Sequence, residues 1–318
     1  MAEFASLRKL IERAPSRVTL VDVSARDGLQ ALPGKLGPGE RARWLRRVLE
    51  AGVPEAEAGS FVRADRVPQM AGTGRVLAEL SAYRHRLWVL VPNPKGLEEA
   101  AAAGARNVVC LVSATQAHSR ANLGRPVERV LEDLEAMAAR VAQLGLRARV
   151  AVSVAWGEPA EPAPAERVVG LCARLRGMGF QEITLADTVG NASPKAVVTL
   201  VEAVRSVMPA EDLGLHLHDA SGFALAAAWA AWASGVRRFD ASLAGLGGCP
   251  ALEDPRGNLD LESLVLLFHA CGVGTGVDPD RLAQARRANA RLLQEAAIPF
   301  PPGPGRKGYP GSSQKEDG

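Results

Sequence analysis

Residues 214–219 read GLHLHD and hold two of the chain's five histidines. His216 and His218 are two positions apart, so on a β-strand both side chains leave the same face. Two neutral imidazoles side by side make half of a metal site. The plainer alternative is a pair of buried histidines satisfied by hydrogen bonds. A hard divalent ion would also want oxygen ligands. Asp27, in SARDGLQ at 24–30, is the best carboxylate, and Asn258, in PRGNLD, offers an amide oxygen. Two nitrogens and two oxygens with positions left open suit Mg²⁺, Mn²⁺ or Zn²⁺ and leave room for a chelating substrate.

Three further side chains could act beside such an ion. Arg26 adjoins Asp27 and is either its salt-bridge partner or a donor to a developing oxyanion. Glu57, in EAEAGSF, either pairs with an arginine or works in catalysis, and with Arg26 it could do both. Cys249 follows Gly245, Gly247 and Gly248. A thiol on such a loop over a metal site could donate or accept a proton; otherwise it is incidental. Cys110, Cys172 and Cys271 lie in apolar segments and read as small buried hydrophobes. No CxxC occurs, which argues against a zinc ribbon or a thioredoxin-type site. His85, His118 and His269 read as structural or surface residues.

Short apolar runs that could position these groups recur at 18–24, 56–59, 87–91, 107–112, 147–154, 182–186, 213–218 and 238–242. The segments between them have a period near 3.6. In 126–144 the apolar positions are Val127, Val130, Leu131, Leu134, Val141 and Leu144, and Gly145 supplies a stop. In 194–208 a valine–leucine stripe follows a capping Ser193 and an opening Pro194. Eight strands alternating with helices predict an α/β fold, a (β/α)8 TIM barrel. A doubly wound sheet would want GxGxxG after the first strand. GLGGCP at 245–250 breaks that pattern and follows the eighth. The segment 278–295 adds a C-terminal helical element. One barrel domain over 1–297 is expected, with a Pro-, Gly- and Ser-rich tail at 298–318 that reads as disordered. Reactive residues of a barrel sit at the C-terminal ends of its strands, which is where SARDGLQ, HLHD and SLAGLGGCP fall.

The chain has 318 residues, 47% of them apolar, enough to bury a core of this kind. Its formal net charge of +3 has no block of five like charges behind it, so no nucleic-acid partner is expected. The most apolar run, 223–236, falls short of the roughly 18 residues of a membrane span. The N-terminus has no continuous apolar stretch of a leader. A cytoplasmic, reducing setting without a membrane partner is the expectation.

Taken together, these segments resemble the 3-hydroxy-3-methylglutaryl-CoA (HMG-CoA) lyase family of the DRE-TIM metallolyase superfamily. RDGLQ, SFV…VPQM (60–70), PNPKG (92–96), DTVG (187–190), HLHD, AGLGGCP and GNL (257–259) occur in that family's order across roughly 18–297. The cysteine in GLGGCP looks like a lyase rather than a related synthase. The resemblance implies that Asp27, His216, His218 and Asn258 bind a divalent cation, Mg²⁺ or Mn²⁺ before Zn²⁺. It implies that Arg26 holds the thioester carbonyl, that Cys249 is the loop-borne acid/base, that Glu57 completes the Arg-Asp-Glu signature and that Gln30 lies near substrate. The implied reaction is retro-Claisen cleavage of an acyl-CoA to acetyl-CoA and acetoacetate, of the kind used in leucine degradation and ketone-body metabolism. A homodimer is expected because members of the family are often dimers.

The sequence also departs from the family's pattern. Residues 153–164 read SVAWGEPAEPAP, without the usual cysteine and tyrosine; 113–125 lack the usual Ser-Glu-x-Phe-like run; Ala186 stands where glycine commonly precedes DTVG; and 60–70 read SFVRADRVPQM. These departures leave the acyl substituent open, and a larger or different 3-hydroxy-3-alkylglutaryl thioester is an alternative substrate. A Claisen-type synthase and a non-catalytic acyl-CoA-binding relative are the alternative functions.

Overall fold

The computed structural model describes residues 11–247 and 257–299. Eight parallel strands close into a barrel in chain order. They are β1 (Thr19–Asp22), β2 (Glu55–Ser60), β3 (Leu87–Leu90), β4 (Asn107–Ser113), β5 (Arg147–Ser153), β6 (Glu182–Asp187), β7 (Leu213–Leu217) and β8 (Arg238–Ala241). A helix follows each: α1 (Pro38–Glu50), α2 (Thr73–Glu79), α3 (Pro94–Ala102), α4 (Val127–Leu144), α5 (Ala165–Gly177), α6 (Pro194–Val204), α7 (Ala224–Ala233) and α8 (Leu261–Ala270). A further helix, α9 (Pro279–Glu295), is the added C-terminal element and packs on α1 and α8.

Local chemistry fixes the helix ends where the sequence predicts. Ser193 Oγ accepts from the Ala196 N–H at 3.2 Å to open α6, and α4 stops at Gly145, whose φ of +63° is left-handed. Asn93 caps α3 in the same way, with Pro94 at its first position. The apolar stripe of α4 (Val127, Val130, Leu131, Leu134, Met137 and Val141) is buried between helix and barrel.

Three expectations need correction. The first strand ends at Asp22 and not at Ser24, because residues Ser24–Gly28 turn at once into a single turn of π-helix. Cys271 is exposed, unlike the buried Cys110 and Cys172, because it sits just past the end of α8. Ile298, read as the first residue of the tail, is 5% exposed and packs into the core.

The barrel interior carries charge. At its N-terminal mouth the first residues of four strands interlock. Arg147 bonds Glu182 at 2.6 Å and Glu55 at 2.8 Å, while Arg238 pairs with Glu55 and, at 3.1 Å, with Glu182. Trp88 lies among them, fully buried, with its Nε1 donating to Glu55 at 2.7 Å and the guanidinium carbons of Arg147 and Arg149 each 4.8 Å from its ring centroid.

Candidate metal centre and active site

The π-turn after β1 carries both Arg26 and Asp27. Asp22 holds this turn from beneath, accepting from the Ser24 N–H at 3.3 Å and the Ser24 hydroxyl at 2.6 Å. Trp44 of α1 donates its Nε1 to the same hydroxyl at 2.7 Å. Asp22 also accepts from the Leu243 N–H at 3.0 Å, tying the turn to the segment after β8. Burial pushes the Asp22 carboxyl up to about 6, although these hydrogen bonds oppose the shift. Gly28 lets that segment approach, since a Cβ there would lie 2.9 Å from Leu246 Cβ.

Arg26 is clamped from two sides. Its Nε donates to Glu57 at 2.5 Å and its Nη1 to Asp27 Oδ1 at 2.5 Å. Burial works against its charge, but Glu57 and Asp27 outweigh burial and hold its pKa above the ordinary value. Glu57 is 1% exposed and bonds Arg149 Nη2 at 2.5 Å, and Arg149 Nη1 reaches Asp240 at 3.2 Å. Asp240 in turn meets His216 Nδ1 at 3.2 Å. A continuous charged relay thus runs Arg26–Glu57–Arg149–Asp240–His216 around the inner wall. The sequence reading missed Arg149 and Asp240. The available signal was a second charged residue within each strand, Arg149 in RARVAVS and Asp240 in RFDA, beyond the one at its start.

β7 presents His216, and His218 follows one residue past its end. Their Nε2 atoms are 3.1 Å apart. Asp27 Oδ2 lies 3.8 Å from His216 Nε2 and 3.6 Å from His218 Nε2. These three donor atoms lie within 4.8 Å of one another. Burial would raise the Asp27 carboxyl, yet Arg26 and the two histidines hold it well below its ordinary value, so it is ionised. Burial would lower His216, but Asp240 and Asp27 raise it.

The donor set fits a divalent cation. Ligand atoms ~2.1 Å from one ion lie ~3.4 Å apart in a tetrahedral and ~3.0 Å apart in an octahedral site, so the separations of 3.1, 3.6 and 3.8 Å need contraction of at most ~0.4 Å for the first and ~0.8 Å for the second. Asp240 at His216 Nδ1 leaves Nε2 to face the ion, the usual support for a metal-binding imidazole. Asn258, bridged to His218 along the backbone, points its amide nitrogen and not its oxygen at Asp27 Oδ2, at 2.8 Å. The same nitrogen donates to the Leu246 carbonyl at 2.9 Å. A Cβ on Gly247 would fall 2.2 Å from that nitrogen, so only glycine fits where Asn258 packs. To ligate, the Asn258 side chain must turn over.

The triad opens into a cavity of about 1190 Å³ at the C-terminal mouth, lined also by Arg26, Gln30 and Glu57. The structure therefore brings together Arg26, Asp27, Gln30, Glu57, His216 and His218, with Asn258 against Asp27. Cys249 lies outside the described residues. His118 is not an isolated surface group. It lines the cavity, with its Nδ1 2.7 Å from Ser113 Oγ at the end of β4. No helix among the described residues is long and apolar enough to cross a membrane.

Comparison with known proteins agrees with this geometry. The HMGL-like family model matches residues 17–288. The (R)-citramalyl-CoA lyase of Chloroflexus aurantiacus is 40% identical over 280 residues, covering 84% of this chain and 88% of that protein. The hydroxymethylglutaryl-CoA lyase of Pseudomonas mevalonii is 37% identical, covering 86% and 92%. Among solved structures, an HMG-CoA lyase from Acinetobacter baumannii in complex with coenzyme A and 3-methylmalate superposes with a TM-score of 0.83. It is 31% identical, with 88% of this chain and 92% of that chain covered.

Proposed function

This chain belongs to the HMGL-like family and is a carbon–carbon lyase, and from that premise we propose that it cleaves 3-hydroxy-3-methylglutaryl-CoA or a close 3-hydroxy-3-alkyl relative by a cation-dependent retro-Claisen reaction. The observation that carries the reading is the convergence of Asp27, His216 and His218 beside a clamped Arg26, at one large open cavity. The coenzyme A bound in the similar Acinetobacter baumannii structure supports a CoA thioester as substrate.

Asp27, His216 and His218, with Asn258 after its amide turns, would hold a divalent cation, which would supply Lewis acidity to make the substrate's hydroxyl more acidic. Asp27, kept ionised by Arg26, and His216 are the groups placed to take the hydroxyl proton. The C2–C3 bond then breaks as the hydroxyl becomes a ketone. The electron pair moves to the acetyl-CoA enolate, and the oxo acid departs. The N–H groups of Arg26 that Glu57 and Asp27 do not occupy donate to the enolate oxygen, fixed in advance by those two carboxylates. Cys249, in the glycine-rich GLGGCP sequence, is the proton donor to the enolate carbon. Gln30 lines the same cavity near the thioester.

A second reading has a specific observation behind it. The 40% identity to a citramalyl-CoA lyase favours a shorter acid, with the carboxylate directly on the carbinol carbon, giving pyruvate and acetyl-CoA. Incubation of each thioester with enzyme and Mn²⁺, with acetyl-CoA measured by chromatography, decides between them. Acetyl-CoA release from at least one is expected. No release from either at high enzyme concentration, with Mn²⁺ bound, would sink the proposal. A synthase would instead release free CoA from acetyl-CoA and a 2-oxo acid, which is not expected. A homodimer and a cytoplasmic setting belong to the same reading; light scattering tests the first.

A further inference from the structure

The inner face of β6 is not used by the chemistry above. Thr184 and Ala186 both line the cavity, as do Ala151 and Ser153 of the neighbouring β5. In the sheet register Ala186 pairs with His216, and His216 with Asp240, so the Ala186 methyl group stands immediately beside a cation-binding imidazole. One pleat deeper, ~6–7 Å along the strand, the register runs Ala151–Thr184–Gly214. Of these, Ala151 and Thr184 line the deep end of the cavity, and Gly214 makes room for Thr184 and for the Arg238 side chain. A Cβ on Gly214 would lie 2.9 Å from Thr184 Oγ1. Thr184 is 1% exposed, and its hydroxyl has no hydrogen-bond partner. A buried hydroxyl left unpaired is unfavourable, so this floor is suited to a polar atom of a ligand.

The two sides of the centre differ in character. On the β1–β2 side stand Arg26, Asp27, Gln30 and Glu57, which suit the thioester oxygen. On the β5–β6 side, above Arg149, which is taken up by Glu57 and Asp240, stand the methyl groups and hydroxyls of Ala151, Ser153, Thr184 and Ala186, which suit the acid that leaves. We propose that Ala186 is the specificity-determining residue for this acid half. Its methyl group sets the width of the passage between His216 and the Ala151–Thr184 floor, so that a short 3-hydroxy-3-methyl acid enters and a longer 3-alkyl chain does not. This inference rests on the lyase reading above and names the substrate class within it.

One methylene against a pocket wall changes discrimination by about 10–200-fold. The experiment compares kcat/KM for (R)-citramalyl-CoA, 3-hydroxy-3-methylglutaryl-CoA and 3-hydroxy-3-propylglutaryl-CoA in the wild type, Ala186→Gly and Ala186→Val. Mn²⁺ affinity is read by electron paramagnetic resonance in each. Ala186→Gly is expected to move the propyl-to-methyl ratio about tenfold or more towards propyl, and Ala186→Val to move it the opposite way, with Mn²⁺ affinity held. A merely structural role would lower all three rates in proportion and leave the ratio fixed. Ratios within twofold of wild type in both variants overturn the proposal. A wild type that cleaves none of the three overturns the lyase reading first, and this inference with it.

Discussion

Asp27 answers to four neighbours at once: Arg26 at one oxygen, and the two histidines and Asn258 at the other. Asp27→Asn keeps the size and removes the charge. It should weaken Mn²⁺ binding at least 100-fold by calorimetric titration, because the hard oxygen ligand becomes a neutral amide. A Kd within threefold of wild type would exclude Asp27 as a ligand. Arg26→Gln tests a different step. It should lower kcat about 10²–10³-fold while Mn²⁺ affinity stays within a few-fold, since the proposed reaction uses Arg26 as the oxyanion donor and not as a ligand of the ion. Residue type and spacing made Arg26, Asp27, Glu57, His216, His218 and Asn258 legible, because each stands in a short motif with a reason to be polar. Arg149 and Asp240 were not legible as partners. Their meeting depends on β5 facing β8 across a closed barrel, which no local pattern encodes. The orientation of the Asn258 amide was equally hidden, as it follows from Leu246 and Asp27 competing for one nitrogen.

All eight strands were readable from the alternation of apolar runs and helices, and so was α9. The ends were less so. Ser24 looked like strand because it continues VDVS, but its hydroxyl is claimed by Asp22 and Trp44, and that contact starts the π-turn. A comparable tether serves the segment after β8. There Glu262, in the first turn of α8, accepts from the Ala244 N–H at 2.9 Å, and Ala244 sits at a left-handed φ of +60°. Burial, reinforced by Asp260, raises the Glu262 carboxyl to about 8. A carboxyl raised on folding protects the folded state fully only below its unfolded pKa of about 4.5, and that contribution is lost as pH rises towards 8. Stability from denaturant unfolding should therefore fall between pH 5 and pH 8. Glu262→Gln should flatten that fall and exceed wild type by about 1–2 kcal/mol at pH 9. A parallel pair of pH curves would show that Glu262 ionises freely in the fold.

At the scale of the whole molecule the cation and the fold are linked through mass action. Mn²⁺ at 100 times its Kd adds about 2.7 kcal/mol to the folded state, a rise in Tm on the order of 5 °C for a chain of this length. Asp27→Asn should lose that rise; an equal rise in both proteins would point to binding elsewhere. The inner relay matters at the same scale. Arg149→Met leaves Glu57 and Asp240 buried without their shared cation and should cost about 3–5 kcal/mol in urea unfolding; a cost below 1 kcal/mol would show that those carboxylates find other partners. Hydration of ions weakens as water warms, so the cost of withdrawing Arg149, Glu57, Asp240, Arg238 and Glu55 from solvent shrinks on heating. The apolar packing of the helices gains no matching benefit. As the molecule approaches its melting range, its charged spine should therefore hold an increasing share of the structure while the surrounding shell loosens first.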